Sequence, residues 1–176
     1  LLDGWQFQHH GVTRDYLAAW IMSLPIQRAI GYINITFVTG ETTSGKTSLV
    51  RGLIGGYNRR TDGNFEVPYV VEAATFATDV SSAGLYQNNS QSSLTIILDE
   101  AETKEDDNSA HSQNVKSVQT MIYGMPFGGS SVVRGGATPD QSVRYNIQTS
   151  LIMAAINLPS DPVYLNRIIV INTKKD

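Results

Sequence analysis

Apolar residues fall in short blocks separated by polar and glycine-rich stretches, and the blocks carry two rhythms. The run INITFV (Ile33–Val38) is apolar and β-branched and lies between Gly31 and Gly40, which predicts a buried strand. VPYVVEAATF (67–76), LTIILDE (Leu94–Glu100), SLIMAAIN (Ser150–Asn157) and NRIIVIN (Asn166–Asn172) predict four more. Between them the spacing becomes helical. DYLAAWIMSL (Asp15–Leu24) is rich in helix formers and stops before Pro25, and TSLVRGLI (Thr47–Ile54) stops at the Gly55-Gly56 pair. NVKSVQTMIYGM (Asn114–Met125) keeps the same periodicity, whereas ATDVSSAGLYQ (Ala77–Gln87) reads as a short helix or a loop. SSVVRGGATPDQSVRYNI (Ser130–Ile147) alternates around Gly-Gly and Pro-Asp, the pattern of a β-hairpin. Strands alternating with helical stretches predict an α/β sandwich around a mainly parallel sheet of about five strands. Residues 1–30 read as a helical lead-in and residues 31–176 as the core.

Composition narrows the possible functions. The formal net charge is −3 over 176 residues, so the whole chain has no attraction for nucleic acid. A DNA contact has to come from a local cluster or from a surface shared between subunits. The absence of cysteine excludes disulfides and thiolate metal sites and is compatible with a reducing compartment. No apolar run approaches the roughly 20 residues that span a bilayer, and LLDGWQFQHH lacks the basic and long apolar regions of a signal peptide. The expectation is a cytoplasmic domain of a longer protein, with no membrane partner.

The chemistry concentrates at GETTSGKTS (Gly40–Ser48), directly after the first predicted strand. A glycine, four residues and then Gly-Lys-Thr is the spacing of a phosphate-binding loop, with a strand before it and a helix after it as the motif requires. Glycines allow a tight backbone whose N–H groups converge on phosphate oxygens. Gly40, Thr43, Ser44, Gly45, Lys46, Thr47 and Ser48 are the candidate nucleotide contacts. Lys46 would reach the β- and γ-phosphates of ATP, and the Thr47 hydroxyl would join the Mg²⁺ shell. The strand TIIL then runs into Asp99 and Glu100. Asp99 would orient Mg²⁺ and its waters, and Glu100 would polarise the attacking water as general base. Asn157, at the tip of SLIMAAIN, is placed to hydrogen-bond the lytic water and the γ-phosphate. Arg167, just before the last apolar run, serves either as a finger on the nucleotide of an adjacent subunit or as a partner of Asp161. His9, His10 and His111 read as surface polar residues, His111 in the loop NSAHSQN, and Trp5 and Trp20 as packing residues.

Together GETTSGKTS, IILDEAE, AAIN and LNRIIVI resemble the ATPase core of ring-forming helicases. The nearest resemblance is to the helicase domain of phage and plasmid primase-helicase proteins, within or near superfamily 3 and the broader AAA+ group. It covers about Tyr16 to Ile171. It implies a P-loop NTPase fold of the ASCE, AAA+-like kind: a three-layer sandwich with a central, mainly parallel, five-stranded sheet. It also implies a homo-oligomeric, hexameric ring, ATP with Mg²⁺ at subunit interfaces, and single- or double-stranded DNA in a central channel. In this reading Lys46, Thr47, Asp99, Glu100 and Asn157 occupy the ATP and Mg²⁺ positions, and Arg167 that of the arginine finger. Arg134 and Arg144 lie on the two arms of the hairpin, where the resemblance places DNA contacts; solubility or pairing with Asp140 is the other role open to them. The hairpin tip GATPDQ has no lysine or aromatic residue. The expected setting is the cytoplasm of a bacterial cell carrying a phage, prophage or plasmid. The alternative is an AAA+-like switch or loader that moves protein partners without unwinding DNA.

Overall fold

The structure is a computed structural model. It describes residues 5–31, 33–54, 74–77, 81–90, 92, 94–99, 109–122, 124–125, 130–135, 142–159 and 161–174. The described residues form seven strands: β1 (Ile35–Gly40), β2 (Ala74–Ala77), β3 (Thr95–Leu98), β4 (Ser130–Gly135), β5 (Ser142–Ile147), β6 (Leu151–Ala154) and β7 (Ile169–Thr173). Five of them form one sheet in the order β2–β3–β6–β1–β7, and every pair in it is parallel. β4 and β5 form a separate antiparallel pair. The helices are α1 (His10–Ser23), α2 (Gln27–Ile30), α3 (Lys46–Ile54), α4 (Ser82–Asn89), α5 (Ala110–Ile122) and α6 (Pro162–Leu165). A 3₁₀ turn over Leu24–Ile26, started by Pro25, joins α1 to α2.

The inner strands β1, β3 and β6 are buried on both faces, as their near-continuous apolar sequences require. Alternation along each strand divides the core in two. Ile35 and Phe37 of β1, Ile96 and Leu98 of β3, and Leu151 and Met153 of β6 pack with Leu85 of α4 and Val118 and Ile122 of α5. Val38, Ile97, Ile152 and Ala154 face the other way, onto Leu17 and Trp20 of α1 and Leu49 and Val50 of α3. The result is a three-layer α/β arrangement with helices on both faces of a parallel sheet. The lead-in is part of it. The hydroxyls of Tyr16 and Thr36 lie 2.7 Å apart, and the buried Gln27 Oε1 accepts from the Ser150 N–H at 2.6 Å.

Element boundaries depart from the sequence reading where polar side chains intervene. α1 begins at His10 and not at Asp15, which caps nothing and instead meets Arg14 at 3.5 Å. Ala77–Gln87 resolves into the end of β2 and a helix, because Ser81 Oγ accepts from the Gly84 N–H. Ser109 Oγ accepts from the Ser112 N–H in the same way, so α5 starts before Asn114 and His111 lies in a helix, not in a polar loop. Of the strand expected over 67–76, residues 74–76 lie in β2 and the rest fall outside the described residues. β6 stops at Ala154, short of Asn157. Ala155 N–H still reaches the Val38 carbonyl at 3.1 Å, but the Thr39 hydroxyl then takes the Ile156 carbonyl at 2.7 Å, and a side chain replaces the next rung. Among the described residues no helix is long and apolar enough to cross a membrane.

Phe37 lies at the centre of the sheet with no accessible surface. Phe37→Ala is expected to lower the free energy of unfolding by about 3–5 kcal/mol, the usual cost of truncating a buried aromatic residue. Chemical denaturation with an unchanged slope checks this.

Candidate phosphate-binding site

The loop Gly40–Gly45 leaves the carboxyl end of β1 and enters α3 at Lys46. Three of its residues have positive φ: Gly40 at 152°, Thr43 at 67° and Gly45 at 78°. At Gly40 there is no alternative to glycine. A Cβ would lie 2.4 Å from both the carbonyl oxygen and Oγ1 of Thr173, and 2.8 Å from Ser44 Oγ. Thr43 is β-branched and left-handed, a conformation costing about 1–2 kcal/mol. Strain of this kind collects in binding loops.

Lys46 folds back over the loop, its Nζ donating to the carbonyls of Gly40 and Glu41 at 2.8 Å each. This holds the ammonium at the loop mouth, beside the first turn of α3, whose opening N–H groups have no carbonyl of their own helix to meet. The positive end of the helix dipole adds to the lysine charge, so the loop, lysine and helix together suit an anion. Ser44 closes a turn through its N–H to Glu41 O at 3.2 Å, and Gly45 O receives the Leu49 N–H at 2.8 Å as the helix begins.

Thr47 and Asp99 are 52 residues apart in sequence, yet the Thr47 hydroxyl donates to Asp99 Oδ1 at 3.1 Å. The topology explains the meeting. β6 is the one strand between β1 and β3, which puts the loop strand and the carboxylate strand about 10 Å apart at the same edge. α3 packs over β1 and β6 and carries Thr47 across the gap. Asp99 lies just past β3, which ends at Leu98. One hydroxyl and one carboxylate are a fitting pair for Mg²⁺, which keeps several waters and takes its remaining oxygens from phosphate. Among the described residues no cluster of three or more His, Cys, Asp or Glu side chains offers a fuller metal cage.

The other candidates are distributed unevenly. Ser48 is exposed in the first turn of α3. Asn157 is exposed, beyond the end of β6 and therefore on the segment between the loop strand and the Asp99 strand. Arg167 is half-buried in the turn after α6, its N–H donating to Tyr164 O at 2.9 Å. It precedes β7, whereas the loop lies beyond the carboxyl ends of the strands. The length of β7, roughly 15 Å, separates Arg167 from the loop of its own chain. Glu100 and the hairpin tip 136–141 lie outside the described residues. Arg134 sits opposite Val143 and the exposed Arg144 opposite Val133, on consecutive rungs of the β4–β5 ladder.

Two contributors, Thr173 and Trp5, carried no motif. Thr173, at the end of β7, reaches the loop through its side chain. A cleft of about 530 Å³ opens here, lined by Thr39, Gly40 and Glu41, by Ile156, and by Thr173 and Lys174. Trp5 is more than a packing residue. Its indole N–H donates to Gly45 O at 3.3 Å. The segment carrying it is held to β7 by Gln8 N–H to Asn172 O at 3.1 Å and Lys174 N–H to Gln6 O at 2.8 Å. Polar residues at a strand end and a tryptophan 40 residues before its contact have no spacing rule by which sequence could find them.

No protein-family model and no curated protein matches the chain.

Gly31 and Gly40 form a matched pair for experiment, since both have positive φ and only Gly40 is crowded. Gly31→Ala is expected to cost about 1–2 kcal/mol from backbone conformation alone. Gly40→Ala adds an overpacking cost of about 1–3 kcal/mol, so its urea midpoint should fall well below that of Gly31→Ala.

Proposed function

We propose that this chain is the P-loop ATPase domain of a ring-forming, DNA-translocating helicase of the phage or plasmid replication type. The observation that carries the nucleotide part is the contact of Thr47 with Asp99 beside the Lys46 loop. A glycine-rich turn alone can be an ordinary surface loop. A lysine at its mouth, together with a hydroxyl and carboxylate meeting across an inserted strand, supports a site for a nucleoside triphosphate and Mg²⁺. The strand order supports the ASCE, AAA+-like assignment, because that class is named for an additional strand between those of the loop and the carboxylate.

In this reading Lys46 and the loop amides bind the β- and γ-phosphates, while Thr47 and Asp99 would hold Mg²⁺, which would neutralise phosphate charge. Glu100 follows Asp99 directly and accepts the proton of the attacking water as its oxygen bonds to the γ-phosphorus and the bond to the ADP oxygen breaks. Asn157 orients that water from the segment after β6. Arg167 lies too far from its own loop to assist there, which favours action on the nucleotide of a second copy and hence a ring. Arg134 and Arg144, repeated round the ring, supply a basic channel for DNA despite the acidic total. The corresponding setting is the bacterial cytoplasm.

Phosphate release by the purified chain, with and without single-stranded DNA, tests the proposal. Lys46→Ala should abolish both ATP binding and turnover. Glu100→Gln should still bind ATP while turnover falls by about 10²-fold or more. DNA should stimulate hydrolysis, and Arg134→Ala with Arg144→Ala should remove the stimulation. Undiminished phosphate release by Lys46→Ala would sink the site assignment. Hydrolysis indifferent to DNA would turn the reading toward a switch acting on protein partners.

A further inference from the structure

Three hydroxyls lie beneath the phosphate loop. Thr173 Oγ1 donates to the Thr39 carbonyl at 3.0 Å. That uses its single proton, so in the 2.8 Å contact between Ser44 Oγ and Thr173 Oγ1 the donor is Ser44. The chain therefore runs from the Ser44 hydroxyl to the Thr173 hydroxyl to the Thr39 carbonyl. Thr39 turns its own hydroxyl away, to the Ile156 carbonyl at 2.7 Å. Thr173 is 2% exposed and Ser44 7%, so water does not readily replace either partner. Thr173 is also anchored by its backbone, in register with Gly40 in the β1–β7 ladder and bridged to Phe7 on its other side.

We propose that Thr173 is a positioning residue of the phosphate loop: its hydroxyl holds Ser44, and through Ser44 the loop backbone, in the form that receives phosphate. The role rests on the P-loop reading above and adds to it a residue from the edge strand beside β1. Replacing the hydroxyl by a methyl leaves strand pairing and volume intact, and the Thr39 carbonyl keeps its place in the β1–β7 ladder, but the Ser44 donor is stranded in a dry site. Ser44 must then seek another acceptor, and the loop moves with it. Trp5 is a built-in reporter of that movement, because its indole Nε1 lies 3.0 Å from the Cβ position of Gly45 and donates to the Gly45 carbonyl.

The test compares Thr173→Val with Thr173→Ser in the full chain, using Mg²⁺-ATP as probe. Calorimetric Kd, KM and kcat are measured, together with Trp5 emission taken as the difference from a Trp5→Phe background. Thr173→Val is expected to raise Kd and KM about tenfold, the effect of one stranded buried hydrogen bond, while kcat stays within about threefold. Thr173→Ser should restore both constants, and Trp5 emission of the nucleotide-free protein should change in the Val variant only. Wild-type affinity in Thr173→Val would overturn the role while leaving the P-loop reading intact. Failure of the wild-type chain to bind Mg²⁺-ATP would overturn both. Should Thr173→Val not fold, Ser44→Ala decides, with a similar weakening expected and wild-type affinity refuting the role. Where both variants fold, the double variant should be no weaker than either single one, and additive losses would also refute it.

Discussion

Gly40 and Thr173 approach so closely that a methyl group on Gly40 would sit 2.4 Å from the Thr173 carbonyl. This approach ties the last residue of β1 to the last residue of β7, and the loop turns from that point. The loop then closes on itself through Ser44 and Lys46 and passes into α3 with its backbone set by Gly45. The direction in which α3 sets out decides whether Thr47 can cross β6 to reach Asp99. A missing side chain at one sheet position thus bears on a contact formed seven residues later.

The parallel sheet was legible because inner strands buried on both faces read as short apolar runs, which the chain supplies in INITFV, LTIIL and SLIMAA; the edge strand β7 carries such a run too, although Ile169 and Val170 are exposed. Helix starts were less legible where a serine did the capping. Ser81 and Ser109 bond the amide three residues on, and a serine in a polar stretch looks the same whether it caps or not. In the site, residues tied to a motif by spacing could be found: Gly40, Lys46 and Thr47 through the loop, and Asp99 through the end of an apolar strand. Trp5 and Thr173 could not, because their contacts with the loop depend on which strands and segments become neighbours. Sequence separation of that size carries no local signal, and only the completed topology brings the groups together.

That topology also separates two tasks. The loop, Thr47, Asp99 and the segment bearing Asn157 all lie at the carboxyl edge of the sheet, where parallel strands leave a crevice between departing connections. Arg167 enters β7 from the opposite edge. The loop and the Arg167 backbone therefore lie at opposite ends of the parallel strands.

The β4–β5 ribbon stands apart from that polarity. Among the described residues no ladder hydrogen bond joins it to the five-stranded sheet. Its attachments are the packing of Val132, Tyr145 and Ile147 against the core and the Asn146 N–H bond to Ser90 at the end of α4. Its six-rung ladder is closed within the pair, so the ribbon's pairing does not depend on the register of the five-stranded sheet.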